Sequence, residues 1–194
     1  LNSPQSPLFD KSSLLFGLDG AKRSIREARQ AVIVEGYMDV ITAWQAGFHN
    51  VIAQMGTALT QDQLQHLKRY TKRFVMALDA DAAGAKATLR SLQVARDTLD
   101  REIDIRFDAH NLVRYESRLE ADIRIVTMPE GKDPDNIIRE DPTQWPLLLA
   151  KAKPVVDYVI GVLTQDLDMT DAKAKTAVAQ QIIPLIEDIT NPVE

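Results

Sequence analysis

Three short acidic clusters carry the residues best suited to chemistry. Glu35 and Asp39 stand in VEGYMDV, Asp79 and Asp81 in LDADAAG, and Asp133 and Asp135 in GKDPDN. Carboxylate oxygens of this kind suit a hard divalent cation, Mg²⁺ or Mn²⁺, and not zinc. Gathered in one place they repel one another, which raises some of their pKa values and costs stability unless cations compensate. Such a cation would also turn a positive charge toward a phosphate, something an acidic chain does not otherwise offer. No Ser/His/Asp or Cys/His arrangement points to a side-chain nucleophile. The chain has no cysteine, which excludes disulfides and thiolate zinc sites, and its three histidines, His49, His66 and His110, are scattered.

The elements around these clusters alternate in type. Ala31 to Val34 (AVIV), Val51 to Met55, Phe74 to Leu78 (FVMAL) and Ala121 to Val126 (ADIRIV) read as strands. Between them, helices are expected over Asp39 to Ala46, from Thr60 to about Lys72, and over Ala82 to Leu99. Strands spaced by helices of this size imply βαβ units and a mostly parallel sheet flanked by helices, an α/β fold. The carboxyl ends of parallel strands form one edge, where ligands bind. All three clusters fall just after a strand, so all three are expected to converge there. Ile103 to Phe107 is expected to pair beside Ala121 to Val126, around a polar loop at Asp108 to Ser117.

The flanks read differently. Leu1 to Leu18 is loop-like and opens abruptly without an initiator Met, suggesting a piece of a longer protein. A basic helix follows over roughly Leu18 to Arg29. From Asp141 the pattern is helical, with segments near Thr143–Lys153, Pro154–Leu167 and Asp171–Ile189 expected to form a small bundle, Trp145 in its core. The expected division is therefore 1–30, opening segment and basic helix; 31–140, α/β domain; and 141–194, helical subdomain.

Each cluster also has a plain structural explanation. Asp81 can cap a helix, Asp133 before Pro134 is a good N-cap with proline at the first helical position, and Asp39 favours a helix amino terminus. Gly36 is expected to let the chain turn sharply, so that Glu35 faces the edge. The net charge of -5 argues against a stand-alone duplex-binding module. With no apolar run long enough to cross a bilayer and no signal-peptide pattern, a cytoplasmic location is expected.

VEGYMDV, MGTALT, the D-x-D of LDADAAG and PEGKDPD, preceded by LNSPQSPLF and LLFGL, stand in an order and spacing that resembles bacterial DnaG-type DNA primases, and specifically their TOPRIM region. The resemblance covers Leu1 to Asp135, the later helices matching in type only. It implies that Glu35, Asp79 and Asp81 are the central metal ligands and catalytic residues, that Asp39, Asp133 and Asp135 complete the acidic pocket, and that Lys11 faces nucleotide phosphates. Two departures are Ala80, where the family usually has Gly between the paired aspartates, and Ala82, where it has Arg, so no basic role is carried over there.

The activity implied is metal-dependent nucleotidyl transfer, joining ribonucleoside triphosphates into a short RNA primer on a single-stranded DNA template. Zinc is expected only in an upstream module, and the replicative helicase is expected to dock on a C-terminal region, both outside this chain. The isolated chain is therefore expected to bind Mg²⁺ or Mn²⁺ and to make little primer. The alternatives are another TOPRIM nucleotidyl or phosphodiester enzyme, a receiver-like Mg²⁺-binding signalling module, and a scaffold whose carboxylates are only caps.

Overall fold

AVIV at 31–34 carries no polar residue on either side of its pleat, so both faces of that strand have to be covered. The computed structural model shows how. It describes residues 6, 10–54, 59–78, 103–107, 113–117 and 121–165, together with 170, 171, 173, 175, 176, 178–180 and 183. In chain order the elements are α1 (Leu18–Ala28), β1 (Ala31–Val34), α2 (Tyr37–Gln45), β2 (Val51–Ala53), α3 (Gln61–Lys68), β3 (Arg73–Leu78), β4 (Ile103–Phe107), β5 (Val113–Ser117), β6 (Asp122–Thr127), α4 (Pro134–Glu140), α5 (Gln144–Ala150), β7 (Lys153–Pro154) and α6 (Val155–Thr164).

The main sheet has the order β2-β1-β3-β6-β7. Its first four strands are parallel, and β7 runs antiparallel along β6. Alternation along each strand sends successive residues to opposite faces. Ala31, Ile33, Ile52, Phe74, Met76, Ile123 and Ile125 pack with Ile25 of α1, Leu64 and Leu67 of α3 and Val159 of α6. Val32, Val34, Val51, Ala53, Val75, Ala77 and Val126 pack on the other face with Val40 and Ala43 of α2, Ile137 and Ile138 of α4, and Trp145 of α5. The result is a three-layer α/β/α arrangement, as the alternating pattern predicts.

The opening segment is stitched to this frame. Phe16 forms an antiparallel bridge with Ala53, at the carboxyl end of β2, with backbone bonds of 2.8 and 3.1 Å. Gln63, fully buried, donates from Nε2 to the carbonyls of Lys11 (3.1 Å) and Leu14 (2.8 Å).

Two expectations are corrected. β4 pairs antiparallel with β5, Ile103 opposite Ser117, in a separate two-stranded sheet. The partner thus lies inside the stretch read as a polar loop, because β6 is already taken up by β3 on one side and β7 on the other. The tail is also not helical throughout: Lys153, expected to close the first of its helices, and Pro154, expected to open the second, form β7. Lys153 and Pro154 leave the helical pattern to extend the sheet edge, where a proline costs no ladder bond. On either side of that short strand, α5 packs on one face of the sheet and α6 on the other. The expected helix over Ala82–Leu99 and most of the expected last helix lie outside the described residues.

Candidate functional site

Helices α2 and α4 share one face of the sheet, and each follows a strand that ends at the same edge. Their first turns therefore meet. Asp39, at the third position of α2 and only 7% exposed, accepts from the backbone N–H of Gly36 at 3.0 Å through Oδ2, and from that of Asp135 at 3.1 Å through Oδ1. One carboxylate thereby closes its own helix start and clamps the start of the other. The Thr42 hydroxyl, one turn along α2, donates to Asp135 Oδ1, and Arg139 Nε donates to the same oxygen at 2.8 Å.

Asp133 is the N-cap of α4. Its Oδ1 accepts from Asn136 N at 2.7 Å, with Pro134 at the first helical position. Glu35 is exposed at the point where β1 ends. Strand β3 lies between β1 and β6 in the sheet, and its last residue, Leu78, is opposite Thr127 of β6. Asp79 and Asp81 follow Leu78 directly in sequence and lie outside the described residues, as do Gly56 and Gly84. Two of the three acidic clusters are thus brought together at the carboxyl edge.

Gly36 serves another purpose than the sequence implies. Its backbone, φ -104° and ψ 151°, is extended and open to any residue. What requires glycine is space: a Cβ there would lie 2.7 Å from Asp39 Oδ2. Lys11 reaches the same side of the molecule, because the antiparallel Phe16 bridge carries the preceding chain past the end of β2 to the first turn of α3. There Thr60 and Gln63 form a reciprocal capping box, Thr60 N donating to Gln63 Oε1 at 3.0 Å and Gln63 N to Thr60 Oγ1 at 3.3 Å. Beside Lys11, the Ser12 hydroxyl and backbone N–H hold the Asp10 carboxyl below the usual carboxylate range.

The donors offered at this edge are carboxylate oxygens, the chemistry a hard divalent cation requires. Among the described residues, no three acidic or histidine side chains form a metal-holding group. Both oxygens of Asp39 are engaged by backbone N–H groups, which leaves it lone pairs but little freedom to swing. Sequence reasoning missed Thr42 and Gln63. Gln63 was readable from T-x-x-Q at the helix start, whereas nothing in the sequence ties Thr42 to a residue 93 positions away.

Residues 32–138 match the family model described as Toprim-like. The chain belongs to the Toprim-like family, in its bacterial DnaG-type primase branch. It is similar to the DNA primase of Clostridium acetobutylicum, 35% identical over 196 residues, covering 100% of this chain and 29% of that protein. It is also similar to the DNA primase of Synechococcus elongatus, 36% identical over 194 residues, covering 98% and 26%. The chain thus spans under a third of the length of these curated relatives.

A solved DnaG primase catalytic domain bound to ssDNA superposes with a TM-score of 0.80 at 26% identity, covering 100% of this chain and 57% of that one. A DNA primase domain from Pseudomonas aeruginosa superposes at 0.77 and 30% identity, covering 99% and 55%. Similarity therefore runs through the tail, beyond the Leu1–Asp135 span expected from motifs. Residues 156–194 also match a model described as the DnaB-helicase binding domain of primase. That corrects the expectation that all helicase-related sequence lies outside the chain. The same residues fall within the span covered by catalytic-domain structures. Among the described residues no helix is long and apolar enough to cross a membrane.

Proposed function

We propose that this chain is the metal-binding part of a primase catalytic core, working in the cytoplasm to join ribonucleoside triphosphates into an RNA primer on a single-stranded DNA template. The observation that carries the reading is the Asp39–Asp135 clamp. It ties two acidic clusters 96 residues apart to one sheet edge, on either side of the strand leading to Asp79 and Asp81. In the reaction, the 3′-hydroxyl of one nucleotide attacks the α-phosphate of the next, a new O–P bond forms, and pyrophosphate leaves. A bound Mg²⁺ or Mn²⁺ supplies acidification of that hydroxyl and neutralisation of phosphate charge.

The chain's own residues hold and aim. Glu35, Asp79 and Asp81 are assigned the catalytic ion, and Asp133 and Asp135 a further ion beside the incoming triphosphate. Asp39 contributes to that acidic pocket chiefly by fixing both helix starts with its buried carboxylate. Lys11 is assigned to the nucleotide phosphates, its backbone anchored by Gln63. The division into residues 1–30, 31–140 and 141–194 belongs with this reading, as does a helicase partner engaged through residues 156–194. Zinc has no role within the chain.

The test is primer synthesis by the full-length parent protein carrying Glu35→Ala or Asp79→Ala. Loss of synthesis with unchanged folding is expected, and undiminished synthesis by either variant refutes the assignment. The isolated 194-residue chain should make little primer.

A further inference from the structure

The opposite edge of the sheet carries the opposite charge. From Gln63 to Leu78 the sequence contains no Asp or Glu, yet it holds Lys68, Arg69, Lys72 and Arg73 in a chain of net charge -5. The fold turns this run toward the amino ends of the strands, where Arg73 opens β3 and Asp122 opens β6. Helix α1 ends at the same edge, just before β1. A groove of about 440 Å³ lies there, lined by Arg29, Tyr70, Thr71, Lys72, Arg73 and Asp122. Among the described residues that line it, the one carboxylate, Asp122, is divided between two arginines, Arg73 at 3.2 Å and Arg124 at 2.9 Å. Glu27, in the last turn of α1, is likewise taken, by Arg23.

Two details mark the groove as more than a solvated surface. Arg29 caps α1 with φ 50° and ψ 31°, the one non-glycine residue with positive φ among the described residues. That cap position favours glycine, because a Cβ crowds the carbonyl there. An arginine held in it keeps a cation at the mouth of the groove against the local backbone preference. Tyr70, half-buried, has the Arg26 guanidinium 4.9 Å over its ring, which fixes an aromatic wall between cations. Cations interleaved with an aromatic ring fit a phosphodiester chain with unpaired bases better than an acidic peptide, which has no use for the ring.

We infer that this amino-edge groove is a second nucleic-acid contact, taking the backbone of a single strand through Arg29, Lys72 and Arg73 beside Tyr70. It is remote from the carboxylate edge by the length of β3, about 20 Å for six residues. The inference takes its partner class from the function proposed above. It needs no metal, so the two can fail separately.

The test uses the 194-residue chain and a fluorescent oligothymidylate in EDTA, with anisotropy titrations over a range of salt. Arg29→Gly should bind about eightfold more weakly at about 0.05 M salt, the value of one lost single-strand phosphate contact with a salt slope near 0.7. Its salt dependence should be shallower by about the same slope. Its Tm should hold or rise, since glycine relieves the left-handed cap. Lys72→Gln provides a second reading independent of that cap and should weaken binding in the same way. Wild-type affinity in both variants overturns the assignment. Displacement of the oligonucleotide by polyglutamate at equal charge concentration also overturns it, in favour of an acidic protein partner.

Discussion

Replacing Asp39 by Asn keeps the shape of the side chain and removes one acceptor and the charge. In the native structure both carboxylate oxygens are used, one by Gly36 N–H and one by Asp135 N–H. An amide can serve only one of them and turns its NH₂ toward the other, so a backbone donor loses its partner at a site only 7% exposed. A hydrogen bond to a charged group contributes about 1.5–3 kcal/mol, so a net loss of about 2 kcal/mol is expected. For a chain of this size that corresponds to a Tm lower by about 4–8 °C.

The clamp also predicts coupling. Thr42→Val removes the hydroxyl that donates to Asp135 on the same joint. The double variant should therefore lose less than the sum of the singles, by about 0.5 kcal/mol or more. Urea unfolding of the four proteins, followed by circular dichroism, gives all the terms. A Tm for Asp39→Asn within a degree of wild type, or strict additivity with Thr42→Val, would refute the clamp.

Further expectations concern the same edge and the exposed carboxylates. Gly36→Ala should destabilise by about 1 kcal/mol or more, since its Cβ would lie 2.7 Å from Asp39 Oδ2; an unchanged urea midpoint would argue against it. Asp141 is held below the usual carboxylate range by the Thr143 hydroxyl, then Gln144 and the Thr143 N–H, and Asp10 by the Ser12 hydroxyl and N–H. Because the folded pKa values are depressed, their contribution is complete above about pH 3.8 and is lost as pH falls through the lower folded values. Carbon-detected NMR titration should find both midpoints below those of Asp141 in Thr143→Val and of Asp10 in Ser12→Ala. Gln63→Leu should loosen the opening segment, read as faster amide exchange from Ser12 to Phe16, because it strips the carbonyls of Lys11 and Leu14 of a shared donor.

The parallel sheet was legible because its apolar runs are short and separated by capped, amphipathic helices. AVIV needs two covered faces, and the glycine and proline punctuation limits where each strand can end. The Asp133–Pro134 cap was legible for the same local reason. The role of Gly36 was not, since a sequence displays the absence of a Cβ but not the carboxylate that would collide with it. The β4–β5 pairing also escaped, because VRYES, although it alternates apolar and charged residues, is short and does not name its partner, which is decided by which edges remain open. The tail misled in the opposite direction: Lys153–Pro154 sits between two helical patterns, and only the exposed edge of β6 turns it into a strand.

The most direct test of the metal-binding edge is a Mn²⁺ titration of the 194-residue chain, read by the loss of the free-ion electron paramagnetic resonance signal. The isosteric Glu35→Gln variant should be run alongside. Saturable binding by the wild-type chain, weakened about tenfold or more in the variant as expected for a lost carboxylate ligand, is the predicted result. Equal affinity in the two proteins, or no saturable binding in either, would contradict a carboxylate-held cation at this edge.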